Sequence, residues 1–399
     1  MLTLDRIYQA AYILKGVVRK TDLILSHNIA PDCELYLKAE NLQITGSFKA
    51  RGAYFKIAML TEDERARGVI ACSAGNHAQG VALAAQRMGI AATVFIPSVA
   101  PLSKIEATKQ MGAQIRLIDG VYDDAYDEAL AFQKESDGVF IHPFDDIDVI
   151  AGQATVGLEI IEQIADIDAI IVPVGGGGLI SGAAFTVKML NPACKVFGVQ
   201  AVGAGSMRDS LRDKKRDTLT NVSTFADGIA VKTPGEYTYK YCTQYVDEIV
   251  TVSDDEIATA ILTLMEQQKL VAEGAGAAAV AAAMFHKLPI AGKKACAIVS
   301  GGNIDVSILS RVINRGLLTT GRLSELKIEM LDKPGQLKEV SSIIAGLGAN
   351  VTKVLHDPGG ENTDINGCFL HVSMETKNKG HFLDIKHAIQ KAGYKIVEE

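Results

Sequence analysis

The chain has no C-x-x-C pair: its six cysteines (Cys33, Cys72, Cys194, Cys242, Cys296 and Cys368) lie far apart. They read as free thiols in a reducing compartment, mostly core or site-wall residues, rather than a disulfide framework. The eight histidines form no close-spaced ligand set, so no metal site is expected. There is no excess of basic charge; 40 Lys and Arg stand against 47 Asp and Glu, a net charge of -7. That balance argues against nucleic acid or an anionic membrane as a partner. No apolar run is long enough to span a bilayer, and the Ala-rich stretch Ala275–Phe285 is far too short. The N-terminus carries Asp5 and Arg6 early and shows no signal-peptide core, so a cytoplasmic location is expected. A Walker loop is excluded, since no Gly-Lys-[Ser/Thr] follows a glycine tract, and G-x-G-x-x-G is not present in its usual register.

What is present is an ordinary soluble composition, 48% hydrophobic and 22% charged, over 399 residues, enough for two or three domains. Short apolar runs alternate with helical stretches from Val69 to Val299. The runs are Val69–Cys72, Ala92–Ile96, Gln114–Ile118, Ala169–Val174, Lys195–Val199 and Ala295–Val299. Such alternation predicts α/β architecture, a parallel-rich sheet with helices on both faces. Near Leu317 the rhythm resets. Glu325–Leu331, Asn350–His356, Cys368–Met374 and Tyr394–Val397 read as strands, and Gln336–Gly346 and His381–Ala392 as helices, with a turn-rich stretch from Asp357 to Gly367. The order β-α-β-β-α-β is the ferredoxin-like motif. The expected division is residues 1–320, with a smaller lobe near 45–148 inserted in a larger one, and residues 321–399.

Four segments carry chemistry. Lys49 sits in Thr45-Gly46-Ser47-Phe48-Lys49-Ala50-Arg51-Gly52-Ala53, where a Gly/Ser turn gives way to a helical pattern. A desolvated lysine loses its proton and becomes a nucleophile, although a lone lysine is far more often solvated. Gly175, Gly176, Gly177 and Gly178 follow one strand and open a helix, exposing backbone N–H groups at a helix N-terminus. That is a phosphate cradle at the strand end where α/β sheets place ligands. Ser73-Ala74-Gly75-Asn76-His77 also joins a strand to a helix; its polar groups could hold a carboxylate, or Ser73 or Asn76 could simply cap the helix. Ser300-Gly301-Gly302-Asn303 ends another strand, and Ser300 could donate to a ring nitrogen; Glu273 could be a site carboxylate or a helix-start residue.

Together with Ala226-Asp227-Gly228-Ile229-Ala230-Val231, these segments span residues 45 to 303 in one order, and in that order the chain resembles the fold type II pyridoxal phosphate (PLP) enzymes, within them the threonine ammonia-lyases. The resemblance implies a two-lobed catalytic region. It makes Lys49 the residue that bonds the cofactor aldehyde and takes the substrate α-proton. Phe48 would pack on the cofactor ring, Asn76 would bond its hydroxyl oxygen, Gly175 to Gly178 would cradle the phosphate, and Ser300 would meet the pyridine nitrogen. Ser73, Ala74, Gly75, Asn76 and His77 would hold the substrate carboxylate. The C-terminal unit resembles an ACT domain, whose turn Asp332-Lys333-Pro334-Gly335-Gln336-Leu337 would bind an amino-acid effector, isoleucine or valine leading. A homodimer or homotetramer acting on a small amino acid is implied.

The expected reaction is β-elimination and deamination of L-threonine to 2-oxobutanoate and ammonia, with L-serine giving pyruvate as a side activity. The competitor is a serine racemase-like enzyme. Racemisation needs a second acid opposite the lysine, and relatives that racemise carry a serine where this chain has Ala74. A methyl group delivers no proton, so elimination is favoured. Gln200 stands where some relatives place an acidic metal ligand, which speaks against that metal site. A third reading, an amino-acid sensor on a catalytically dead scaffold, is opposed by the intact Lys49 and glycine tract; conversely, the ACT-like unit could serve only as an oligomerisation surface.

Overall fold

A computed structural model describes residues 1–358 and 365–397. The chain divides into two compact units, Met1–Val306 and Ser307–Glu399.

In the first unit the strands are β1 (Leu23–Ser26), β2 (Glu34–Lys38), β3 (Val69–Cys72), β4 (Ala92–Pro97), β5 (Gln114–Ile118), β6 (Val139–Phe140), β7 (Ala169–Pro173), β8 (Lys195–Ala201), β9 (Glu248–Val252) and β10 (Lys294–Ile298). They form two sheets, β1-β2-β10-β7-β8-β9 and β5-β4-β3-β6. Only β1 runs antiparallel to its neighbour; the other pairings are parallel. Helices cover both faces, so the central strands β3 and β7 are buried along their whole length and read as unbroken apolar runs rather than as alternation. Six of these strands coincide with the runs read from the sequence. The short edge strands β1 and β6, and β2 and β9 with their mixed polar content, carried too weak a pattern.

The helices start where the sequence supplies caps. Thr61 and Ser253 form capping boxes with Glu64 and Glu256, and Asp146 accepts the N–H groups of Asp148 and Val149 at the head of Ile147–Gln163. The alanine-rich stretch forms the helix Gly274–Met284, whose residues up to Ala283 are buried; it is a core helix.

In the second unit β11 (Leu323–Leu331), β12 (Asn350–Asp357), β13 (Gly367–Glu375) and β14 (Lys395–Val397) pair antiparallel in the order β12-β13-β11-β14. Helices Gln336–Gly346 and Lys379–Lys391 cover one face. Their Val340, Ile344, Ile385 and Ile389 meet Ile328, Leu370 and Val372 in one core. Burial alternates along β11 and β13, as one-sided covering requires. The β-α-β-β-α-β order is the one the sequence pattern gives. Most of the expected turn-rich stretch, residues 359–364, lies outside the described residues.

The division at Val306 places the helix Val306–Thr319 almost wholly in the second unit, whereas the sequence boundary at 320 left it in the first. The reason is local: the helix turns directly into β11, with the N–H of Gly321 bonded to the Leu318 carbonyl and that of Arg322 to Leu317.

Candidate active site

Lys49 is the first residue of the helix Lys49–Ala58. Its entry is fixed from the large sheet: the Phe48 N–H donates to the Ser300 carbonyl at 3.1 Å, and Ser47 bridges to Gly301 just beyond β10. Gly46 adopts φ +72°, and a side chain there would run into Asn303. Lys49 Nζ donates to the Pro143 carbonyl at 2.7 Å and lies 5.4 Å from the centre of the Phe48 ring. Burial lowers the Lys49 ammonium to about 8, against the opposing pull of Glu273. The amine is therefore far easier to deprotonate than a surface lysine.

Pro143 leads into Phe144, whose ring covers the glycine tract. A Cβ on Gly176 would come within 2.4 Å of that ring, and one on Gly178 within 3.0 Å of the Phe144 Cβ. The segment 143–144 is held by His142. Its Nδ1 accepts the N–H of Asp145 at 2.7 Å and that of Phe144 at 3.2 Å. Burial, with the charge of Lys49, pushes the His142 imidazolium down to about 4, so the ring is neutral. Lys49 and the glycines, far apart in the chain, thus meet the same segment, 143–144.

Gly177 has φ +99° and caps the helix Gly178–Leu190 with no side-chain hydrogen bond. A Cβ there would lie 2.7 Å from Met207 and 2.8 Å from Thr238. A Cβ on Gly175 would lie 3.1 Å from the Gly228 carbonyl oxygen and equally close to Ile229 Cα.

The helix Asn76–Met88 likewise has no side-chain cap. Ser73 Oγ accepts from the Gly75 N–H at 3.1 Å instead, and Asn76 points elsewhere, so neither serves as the cap that the sequence left open. Asn76 Nδ2 donates to Glu273 Oε1 at 2.6 Å, and its Oδ1 accepts from Asn303 Nδ2 at 2.7 Å. His77 Nε2 donates to the Ile141 carbonyl at 2.7 Å, leaving its buried Nδ1 with no hydrogen-bond partner. Burial, with Lys49 nearby, lowers His77 to about 3. Its ring is a neutral strut tying the small sheet's loops together. Ala74 is half-buried between Ser73 and Gly75.

Glu273 is a group the sequence left undecided. It stands at the N-cap of Gly274–Met284 but makes no capping bond, and its carboxyl faces Asn76. Burial, with the charge of Asp227, raises that carboxyl to about 7, while the Asn76 bond, Lys104 and Lys49 oppose the rise. Asn303, which in the sequence only closes the Ser300–Asn303 motif, also donates to the Thr45 carbonyl at 2.7 Å. Pro143, Phe144 and His142 were missed, since nothing in a His-Pro-Phe tripeptide signals a site. Ion pairs Lys104–Asp227 and Lys232–Asp123 join helices of the small sheet to the large-sheet side.

Residues 14–301 match the family model described as "Pyridoxal-phosphate dependent enzyme". The chain belongs to this family. An L-threonine ammonia-lyase of Thermotoga maritima is 49% identical over 398 residues, covering 99% of each chain. Among solved structures, the processed form of threonine deaminase isoform 2 from Solanum lycopersicum is 39% identical, with a TM-score of 0.74 over 79% of this chain and 94% of that one. Maize serine racemase is 35% identical, with a TM-score of 0.75 over 79% and 98%.

The residues present fit the family's cofactor. Two helices open toward the site with uncapped first turns, so their N–H groups and partial positive charge are available to a phosphate and a carboxylate. The glycine cradle is one that a single Cβ would fill. Ser47 Oγ and His77 Nδ1 are buried without partners, and Lys49 offers an easily deprotonated amine.

Proposed function

We propose that this chain is an L-threonine ammonia-lyase, converting L-threonine to 2-oxobutanoate and ammonia, with L-serine to pyruvate as a lesser activity. The observation that carries the reading is the buried Lys49 amine, bonded to the segment 143–144 that packs on the glycine tract. Glycines 175 to 178 would hold the cofactor phosphate, Phe48 would pack on its ring, Asn76 would meet its hydroxyl oxygen, and Ser300, buried at the end of β10, would meet the pyridine nitrogen. Bound PLP supplies an electron sink for the pair released at the substrate α-carbon.

The protein's part is acid–base work and exclusion of water. The uncapped N-terminus of Asn76–Met88, with Ser73, Ala74, Gly75, Asn76 and His77, holds the substrate carboxylate. Lys49, neutral once its proton is lost, removes the α-proton. The β-hydroxyl then departs as water after taking a proton. The unsaturated amine that is released tautomerises and hydrolyses in water to the 2-oxo acid and ammonia. Ser300 would present a hydroxyl and not a carboxylate to the pyridine nitrogen, and so would not hold that nitrogen protonated. Ala74 leaves the face opposite Lys49 without an acid, which favours elimination over racemisation. We further assign the turn Asp332, Lys333, Pro334, Gly335, Gln336 and Leu337 to an amino-acid effector, isoleucine or valine. Gly335 caps the helix Gln336–Gly346 in a left-handed conformation with no side-chain bond, and Leu337 is exposed. A homodimer or homotetramer in the cytoplasm completes the proposal; among the described residues no helix is long and apolar enough to cross a membrane.

The test is an assay of 2-oxo acid and D-amino acid from L-threonine and L-serine. Wild type should give 2-oxobutanoate in large excess, Lys49→Ala should lose turnover and the visible absorbance of the bound cofactor, and Ala74→Ser should raise the D-serine fraction. Mainly D-isomer from the wild type would overturn the assignment.

A further inference from the structure

At one end of the second unit's sheet, three side chains from three different strand ends converge. Asp332 follows β11, His356 lies near the end of β12, and Cys368 near the start of β13. His356 Nε2 is 3.3 Å from Asp332 Oδ1, and the ligand atoms of all three lie within 4.8 Å of one another.

Register explains the convergence. His356 stands opposite Leu370, and Cys368 lies two residues earlier on the same strand. Opposed residues, and residues two apart, share a face. Leu370 and Cys368 are both buried, on the face that the helices cover. Cys368 pairs with Met330, and the Asp332 N–H donates to the Asn366 carbonyl, which brings the carboxylate over the same corner. Cys368 is 1% exposed, whereas the His356 and Asp332 side chains are 50% and 61% exposed. The cluster therefore has a closed floor and an open mouth.

We propose that Asp332, His356 and Cys368 form a binding site for a borderline-soft divalent cation of the zinc class. Tetrahedral zinc holds nitrogen, oxygen and sulfur at about 2.0–2.3 Å, which spaces its ligands by roughly 3.3–3.8 Å. The imidazole–carboxylate pair already has that spacing, and the thiol must approach by about 1.3 Å at most, within the reach of small side-chain rotations. One thiolate, one imidazole and one carboxylate suit zinc and disfavour magnesium and calcium, which take oxygen ligands. Binding takes Cys368 as thiolate and releases its proton to solvent. Three protein ligands leave a fourth position for water, so the metal is exchangeable. Bound there, it clamps the ends of three strands beside the turn that leads into Gln336–Gly346. The site is separate from the catalytic reading and stands or falls without it; it shares only Asp332 with the turn assigned to an effector.

The experiment uses the full-length, cofactor-loaded protein, freed of metal by chelator and titrated with zinc chloride against a chromophoric chelator. Wild type should bind one zinc per chain competitively, and zinc should raise the thermal midpoint of unfolding. His356→Ala should bind on the order of 100-fold more weakly and Asp332→Asn at least tenfold more weakly, since loss even of an outer partner costs about 10–100-fold. Both side chains are exposed, so these variants test the site even if Cys368→Ser folds poorly. His387→Ala, changing an exposed histidine in the helix Lys379–Lys391, should match the wild type. If the wild type took up no competitive zinc, or His356→Ala bound it as tightly as the wild type, Asp332 and His356 would be an ordinary surface ion pair and the proposal would fail.

Discussion

Replacing Arg51 by methionine tests the buried charge network that seats the helix of Lys49. Arg51 is 0% exposed and lies one half-turn after Lys49. Its guanidinium grips Glu40 through Nε at 2.8 Å and Nη2 at 2.7 Å, and Glu159 through Nη1 at 2.6 Å and Nη2 at 3.0 Å. Lys38 Nζ adds a bond to Glu159 at 2.6 Å, and Thr21 Oγ1 one to Glu40 at 2.5 Å. β2, the turn after it and the helix Ile147–Gln163 are thereby locked to the helix Lys49–Ala58. Methionine fills most of the volume but leaves Glu40 buried with only Thr21 and the more distant Lys38 charge. Breaking a buried pair from one side costs about 3–5 kcal/mol.

The sign of the pH dependence follows from Glu40. Burial pushes its carboxyl up, but the Arg51 charge and hydrogen bonds, with Lys38 and Thr21, more than reverse this and hold it below the usual carboxylate value. A lowered folded-state value contributes stability that is present above the unfolded value near 4.5 and lost as pH falls below it. In Arg51→Met the burial effect is left largely unopposed and the carboxyl rises, so the variant is penalised most at neutral pH and progressively less as pH falls through 5 and below. Chemical denaturation followed by circular dichroism should show this gap narrowing on acidification. Adding Glu40→Gln to Arg51→Met should recover a large share of the loss, because the stranded charge is gone. A loss under about 1 kcal/mol at pH 7, or one independent of pH, would refute the reasoning.

Two further outcomes are expected. Capture of PLP by the cofactor-free protein, followed by visible absorbance, should speed up as pH rises through about 8, because the neutral Lys49 amine is the reacting form; a rate flat across that range would contradict it. Gly176→Ala should weaken cofactor binding and lower the thermal midpoint, since its Cβ would lie 2.4 Å from the Phe144 ring and overpacking costs about 1–3 kcal/mol; unchanged affinity would remove Phe144 from the cradle wall.

Contiguous stretches of sequence determined what local backbone chemistry can determine. Four glycines after an apolar run make a loop at the strand end, and a short apolar run between helical stretches reads as a parallel strand; both were legible, as was the antiparallel unit after Leu317. The lysine was legible as a candidate, but nothing along the chain signalled that the Pro143 carbonyl would accept its hydrogen bond or that Phe144 would pack against the glycines. That neither Glu273 nor Asn76 caps its helix, and that they bond each other instead, appears only in the folded chain, because the same carboxylate or amide can serve either purpose. The Arg51 network and the Asp332–His356–Cys368 cluster are wholly tertiary. Their members lie too far apart along the chain for spacing to reveal them, and it is sheet register and helix packing that bring charge to charge and ligand to ligand.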